Sequence, residues 1–102
     1  MSNYNSDRAY LVDELTQKVT SVTTTATELF TGGSRNPRRQ VMRIYNDSNS
    51  TVFIGPTGVT ASGATRGEPI LKKESLEITI GNVAIFGIVS TGTADVIITE
   101  LA

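Results

Sequence analysis

The residues best suited to chemistry are four arginines, Arg35, Arg38, Arg39 and Arg43, which fall within nine positions. No acidic residue lies between Glu28 and Asp47. Guanidinium groups pair with carboxylates or phosphates in a planar, two-pronged geometry. Three readings of the cluster follow. It is a solvated loop paired with Glu28, Glu68 or Asp47, a contact for an acidic protein surface, or a nucleic-acid contact. A nucleic-acid reader calls for a stronger positive balance and aromatics interleaved for base stacking. Here the net charge is −1 and Tyr45 alone is close, which argues against that partner.

Catalytic groups are scarce. The chain has no His and no Cys, so the commonest general base and metal ligand and any thiolate are absent. Glu68, Glu74 and Glu77 do not make an acid/base pair. The odd offset between Glu74 and Glu77 puts them on opposite faces of one strand. Gly55-Pro56-Thr57-Gly58 lacks the Lys-Ser or Lys-Thr and the following helix of a phosphate cradle. Lys72-Lys73 has no serine nucleophile motif beside it, and the Asn and Asp residues are not at calcium-loop spacing. The sequence therefore reads as non-enzymatic, with no catalytic residue, cofactor or metal.

The elements that would carry these residues are short and β-rich. At 102 residues the chain is one domain near the small end of the range. Without Trp or disulfides, and with three Tyr and three Phe, it is expected to gain stability by associating with copies of itself. Asp7, Asp13 and Glu14 in a segment without an apolar core argue against a secretory signal. No stretch is long and apolar enough to span a bilayer, so the chain reads as soluble, with no membrane partner.

Residues 1–19 read as an arm or short helix. Asn3, Asn5 and Ser6 suit its start, and Leu11, Val12, Leu15 and Val19 form a narrow apolar stripe. That stripe docks either on the chain's own β domain, residues 20–102, or between subunits. The Thr-rich stretch 20–31 reads as an edge strand ending on the core anchors Leu29 and Phe30. Residues 41–45 and 51–54 flank the polar turn Asn46-Asp47-Ser48-Asn49-Ser50 and read as a hairpin, with Met42, Ile44, Val52 and Ile54 inward. Residues 57–69 read as a long surface loop or a weak strand around Val59. Leu76, Ile78 and Ile80 alternate with polar residues in a half-buried strand.

Residues 83–89 are apolar on both faces. Val83, Ile85 and Val89 oppose Ala84, Phe86 and Ile88, as in a central strand covered twice. Either the Leu11/Leu15 helix covers the outer face, or a neighbouring copy does. The last strand sets Val96 and Ile98 against Ile97 and Leu101. About seven short strands and at most one short helix give an all-β fold, an antiparallel, jelly-roll-like β-sandwich.

Residues 38–100 resemble small bacteriophage virion proteins, of the kind that decorate the capsid or form the base of head fibres. The likeness rests on a basic lead-in and strand over 39–46, the turn 47–50, a strand ending in Ile-Gly over 52–55 and the Gly/Ser/Thr loop 57–65. It continues through Gly67-Glu68-Pro69-Ile70, the alternating strand 76–80 and the apolar strand with Thr-Gly-Thr-Ala-Asp-Val over 83–96. Residues 20–30 resemble the first strand of such modules.

The resemblance implies a structural virion protein on the capsid surface, present in the host cytoplasm during assembly. It implies the major capsid protein or another virion protein as partner, and self-association, with a trimer favoured. The contact surface would be the N-terminal arm or Arg35, Arg38, Arg39 and Arg43, and the oligomer interface Leu11, Val12, Leu15, Ala84, Phe86 and Ile88. Tail or baseplate modules share the pattern. A host-surface, carbohydrate-recognition role using the loop at 57–67 and Tyr45 is therefore the alternative, and a nucleic-acid module using the arginine loop the second alternative.

Overall fold

Alternation of apolar and polar side chains sets the architecture, because a strand turns successive residues to opposite faces. A computed structural model describes residues 13–102, in which eight strands form two four-stranded sheets. The strands are β1 (Leu15–Val22), β2 (Thr27–Glu28), β3 (Val41–Asn46), β4 (Val52–Gly55), β5 (Glu68–Ile70), β6 (Ser75–Thr79), β7 (Phe86–Ile88) and β8 (Ala94–Leu101). The first sheet runs β1-β8-β3-β6 and the second β2-β7-β4-β5, with every neighbour antiparallel. Four of the pairings are nested: β1 with β8, β2 with β7, β3 with β6 and β4 with β5.

Both sheets contribute to one apolar core. Val22, Met42, Ile44, Ala94, Val96 and Ile98 come from the first sheet, and Val52, Ile54 and Ile70 from the second. Leu29 and Val89 join them from the connections, and Leu76, Ile78, Ile80 and Ile85 pack against the cluster. Burial of each large aliphatic side chain is worth about 1.5–3 kcal/mol. Met42, Ile44, Val52 and Ile54 are all buried, as their alternation predicts.

The stretch 41–55 is not a hairpin. β3 lies in the first sheet and β4 in the second, so the polar turn carries the chain across the core. Asn46 is the cause. Its side chain is buried, and Nδ2 donates to Ser50 O at 2.6 Å and to Ile70 O at 2.8 Å. Ser48 Oγ donates back to Asn46 Oδ1 at 2.6 Å. One amide thus ties the end of β3 to the end of β5, in the opposite sheet.

The expected N-terminal helix is also corrected where residues are described. Leu15 and Val19 belong to β1, which pairs with β8 over all eight of its residues. The β-branched Thr16, Val19, Thr20 and Val22 favour that conformation. Leu11 and Val12 lie outside the described residues. β1 and β2 are both sheet edges, but the Thr-rich stretch is two strands rather than one. Thr25 N donates to Thr23 Oγ1 at 3.1 Å, a local bond that turns the backbone between them.

The stretch 56–67 is an internally bonded loop. Val59 N donates to Pro56 O at 3.0 Å, Gly67 N to Thr60 O at 3.0 Å, and a 3₁₀ turn spans Gly63–Thr65. Val59 is buried against Gly55 and Gly67. A Cβ at Gly67 would stand 2.5 Å from Ile54 O and 2.7 Å from Val59 Cγ2, so only glycine allows this approach.

Candidate functional site

The four arginines do not converge. Arg39 is buried, and its Nη1 lies 2.6 Å from Glu100 Oε2 with neither side chain exposed. Its Nε donates to Gly81 O at 2.9 Å and its Nη2 to Val83 O. Arg39 therefore cannot serve as a surface contact. Arg35 is partly exposed and committed to Glu28 at 2.8 Å and to Asn82 Oδ1 at 2.8 Å. Arg38 is exposed and lines an open cleft of about 460 Å³ with Asp13, Glu14, Gln40 and Ala102. Arg43 is exposed on the outer face of the first sheet, opposite Glu77 on one side and Thr99 on the other. Two of the four remain fully on the surface, on different parts of it.

Glu100 is the charged residue that composition alone conceals. It accepts Thr31 Oγ1 at 2.7 Å and Thr31 N at 3.1 Å in addition to Arg39. Burial works against ionisation, but the hydrogen bonds from Thr31 and Arg39, with the Arg39 charge, outweigh it. The carboxyl is held below the usual range. The signal was present in the sequence. Glu100 shares the parity of Val96 and Ile98, which places it on the inward face of β8. A charge on a core face needs a partner inside.

This cluster is structural in its chemistry. Each Glu100 oxygen accepts a hydrogen bond, Arg39 Nη1 donates to Glu100, and Arg39 Nε and Nη2 donate to backbone carbonyls, so the pair is engaged within the fold. Glu68, Glu74 and Glu77 lie on β5, in the turn before β6 and on β6 respectively. Asp47 pairs with Lys73 at 3.0 Å across an exposed turn. Among the described residues no group of three or more His, Cys, Asp or Glu is placed to hold a metal ion, and no helix is long and apolar enough to cross a membrane.

Apolar groups meet solvent on the outer faces of the sheets and, at Leu71 and Val83, in the connections between strands. On the second sheet, Gly87 faces Val22, Leu29 and Ile54, so Phe86 and Ile88 on either side of it turn away from the core. Register sets Ile88 beside Phe53, and Phe53 beside Pro69. Phe53 and Phe86 are half-buried, Pro69 is exposed, and Ile88 is buried at 8% exposure. Residues 83–89 do contain a central strand, flanked by β2 and β4, although it is only three residues long. Ala84 precedes it and is half-buried.

On the first sheet, Leu15 and Val19 are 63% and 59% exposed. Val19 lies beside Ile97, and Ile97 beside Tyr45. Gln17, Arg43, Tyr45, Ile97 and Thr99 line a shallow depression of about 170 Å³. Gln17 Nε2 donates to Thr99 Oγ1 at 3.0 Å across it. Leu15 is thus on a different sheet from Phe86 and Ile88. Of the residues expected to form one oligomer interface, the described ones divide between two surfaces, Leu15 on one and Ala84, Phe86 and Ile88 on the other, and Leu15 does not cover β7.

No protein-family model matches the chain, and no curated protein matches it.

Proposed function

We propose that this protein is a non-enzymatic structural component of a bacteriophage virion, a capsid-decoration or head-fibre-base module. In this reading the two sheets pack as a jelly-roll sandwich. The nested pairing of β1 to β8 and the two strand orders support that topology. Double-sheet jelly rolls serve viral capsid and lectin domains, although a fold alone does not fix a function.

The observation that carries the proposal is how polar and apolar groups are partitioned. Arg39 and Glu100 are consumed in holding the fold, while Phe53, Phe86 and Pro69 lie on an outer sheet face. Such a face suits protein contact, since interfaces are enriched in aromatic residues and depleted of charge at their centre. The module associates through the outer face of the second sheet, with a trimer favoured by the resemblance. It meets the major capsid protein or another virion protein through the exposed Arg38 and Arg43. It resides on the capsid surface after assembly in the host cytoplasm.

Light scattering on the purified chain, combined with cosedimentation with shells of the major capsid protein of the same phage, tests this. Assembly above monomer mass and saturable binding to shells are expected. A monomer at high concentration that stays in the supernatant would contradict it.

The depression around Tyr45 favours a second reading, a tail or baseplate module that binds host-surface carbohydrate. Tyr45 contributes an aromatic side chain to its lining, and Arg43, Gln17 and Thr99 contribute polar groups. Saturable glycan binding by the isolated chain, lost in Tyr45→Ala, would favour this reading over the first. The scattering of the arginines weakens the nucleic-acid alternative.

A further inference from the structure

The four sheet edges are not alike. β2 has two residues, β5 has three including Pro69, and β6 has Glu77 at its centre. Brevity, proline and charge each blunt an edge against pairing. β1 has eight residues and no proline. Its single charge, Lys18, sends Nζ over the Phe30 ring, 4.6 Å from the centroid.

Backbone parity fixes what this edge presents. Glu14 and Ala102 exchange both backbone hydrogen bonds, at 2.7 and 2.9 Å. In an antiparallel ladder, hydrogen-bonded residues alternate along a strand. The even-numbered residues of β1 therefore bond to β8, and Leu15, Gln17, Val19 and Ser21 point their N–H and C=O groups outward. The same residues place their side chains on the outer face of the first sheet. Among the described residues these backbone groups have no partner, and the edge offers them beside two exposed aliphatic side chains.

We infer that β1 is an interaction edge for a second copy of this chain, which pairs antiparallel about a twofold axis through Gln17. For the faces of the two sheets to match, odd residues must meet odd residues, so the axis passes through a residue. An axis at Lys18 sets two lysines opposite each other in a closely spaced, non-hydrogen-bonded pair, which like charges disfavour. An axis at Val19 leaves Leu15 beyond the paired strand. An axis at Gln17 sets Leu15 opposite Val19 of the second copy, twice, and Lys18 opposite Thr16. Two four-stranded sheets then become one of eight strands. The contact is separate from the outer face of the second sheet and does not depend on a virion role.

The chain has no cysteine, so a single one can report the axis. In the proposed dimer the two copies of position 17 are a hydrogen-bonded pair with Cα atoms about 5.5 Å apart, within reach of a disulfide. Under mild oxidation Gln17→Cys is expected to form a covalent dimer at least about tenfold faster than Leu15→Cys or Ser62→Cys, because the contact raises the effective concentration. Cross-linking of Gln17→Cys no faster than Ser62→Cys would overturn the inference. Gln17→Pro removes an outward N–H and leaves the bonds to β8 in place. In sedimentation equilibrium it is expected to weaken the twofold association, and unchanged association would also overturn the proposal. Failure here leaves shell binding to be decided by its own assay.

Discussion

Glu100 holds its charge inside the protein because Thr31 and Arg39 supply three hydrogen bonds to it. Removing one partner of such a pair strands the other in a medium that solvates it poorly. Arg39→Met is therefore expected to lower unfolding stability by about 3–5 kcal/mol in urea titration. Replacing both residues with apolar ones should cost less than the sum of the single changes. Because the folded carboxyl lies below its unfolded value, its contribution is fully present above the usual glutamate range. It is lost as pH falls through the folded value. The stability gap between the parent chain and Glu100→Gln should accordingly be widest near neutrality and narrow on acidification below about pH 4. Thr20 Oγ1 is the counter-case, a buried hydroxyl without a hydrogen-bond partner among the described residues. Thr20→Val is expected to raise stability by about 1 kcal/mol, read as a higher urea midpoint at unchanged slope.

At the scale of elements, the turn at Asn46 decides which strands meet. Local sequence predicts a hairpin there, since a polar turn between two β-type runs looks the same whether the chain folds back in one sheet or crosses to another. The distinction lies in contacts that are distant in sequence, above all Asn46 Nδ2 to Ile70 O at 2.8 Å. Asn46→Ala takes the amide donor from that carbonyl, while Ser50 O keeps Ser48 Oγ at 3.2 Å, and should cost about 1–3 kcal/mol in urea unfolding. The inward faces were legible for the opposite reason. Alternation at Met42, Ile44, Val52, Ile54, Val96 and Ile98 is a local pattern, and all six are buried. The apolar spacing of Leu11, Val12, Leu15 and Val19 suggested a helix, but pairing with β8 and the β-branched neighbours claim Leu15 and Val19 for a strand. Among the arginines, residue type advertised a shared surface. Arg39 went instead to the one charge on the core face of β8, a pairing 61 positions away that no local motif encodes.

For the molecule as a whole, the buried Arg39–Glu100 pair braces the interior, and apolar residues on the outer sheet faces are the proposed means of contact. The outer face of the second sheet and the β1 edge of the first are separate surfaces, so the two proposed contacts would join copies of the chain in different directions. Repetition over a shell would compensate for weak single contacts, because tethering many sites raises effective concentration. Binding to shells of the major capsid protein tests this most directly, measured as the amount of chain cosedimenting against free concentration. The proposed capsid role predicts a saturable curve with a fixed ratio of chain to capsid subunits, weakened in a doubly substituted Arg38→Glu, Arg43→Glu chain that remains folded. A folded chain that leaves the shells bare at every concentration would contradict it.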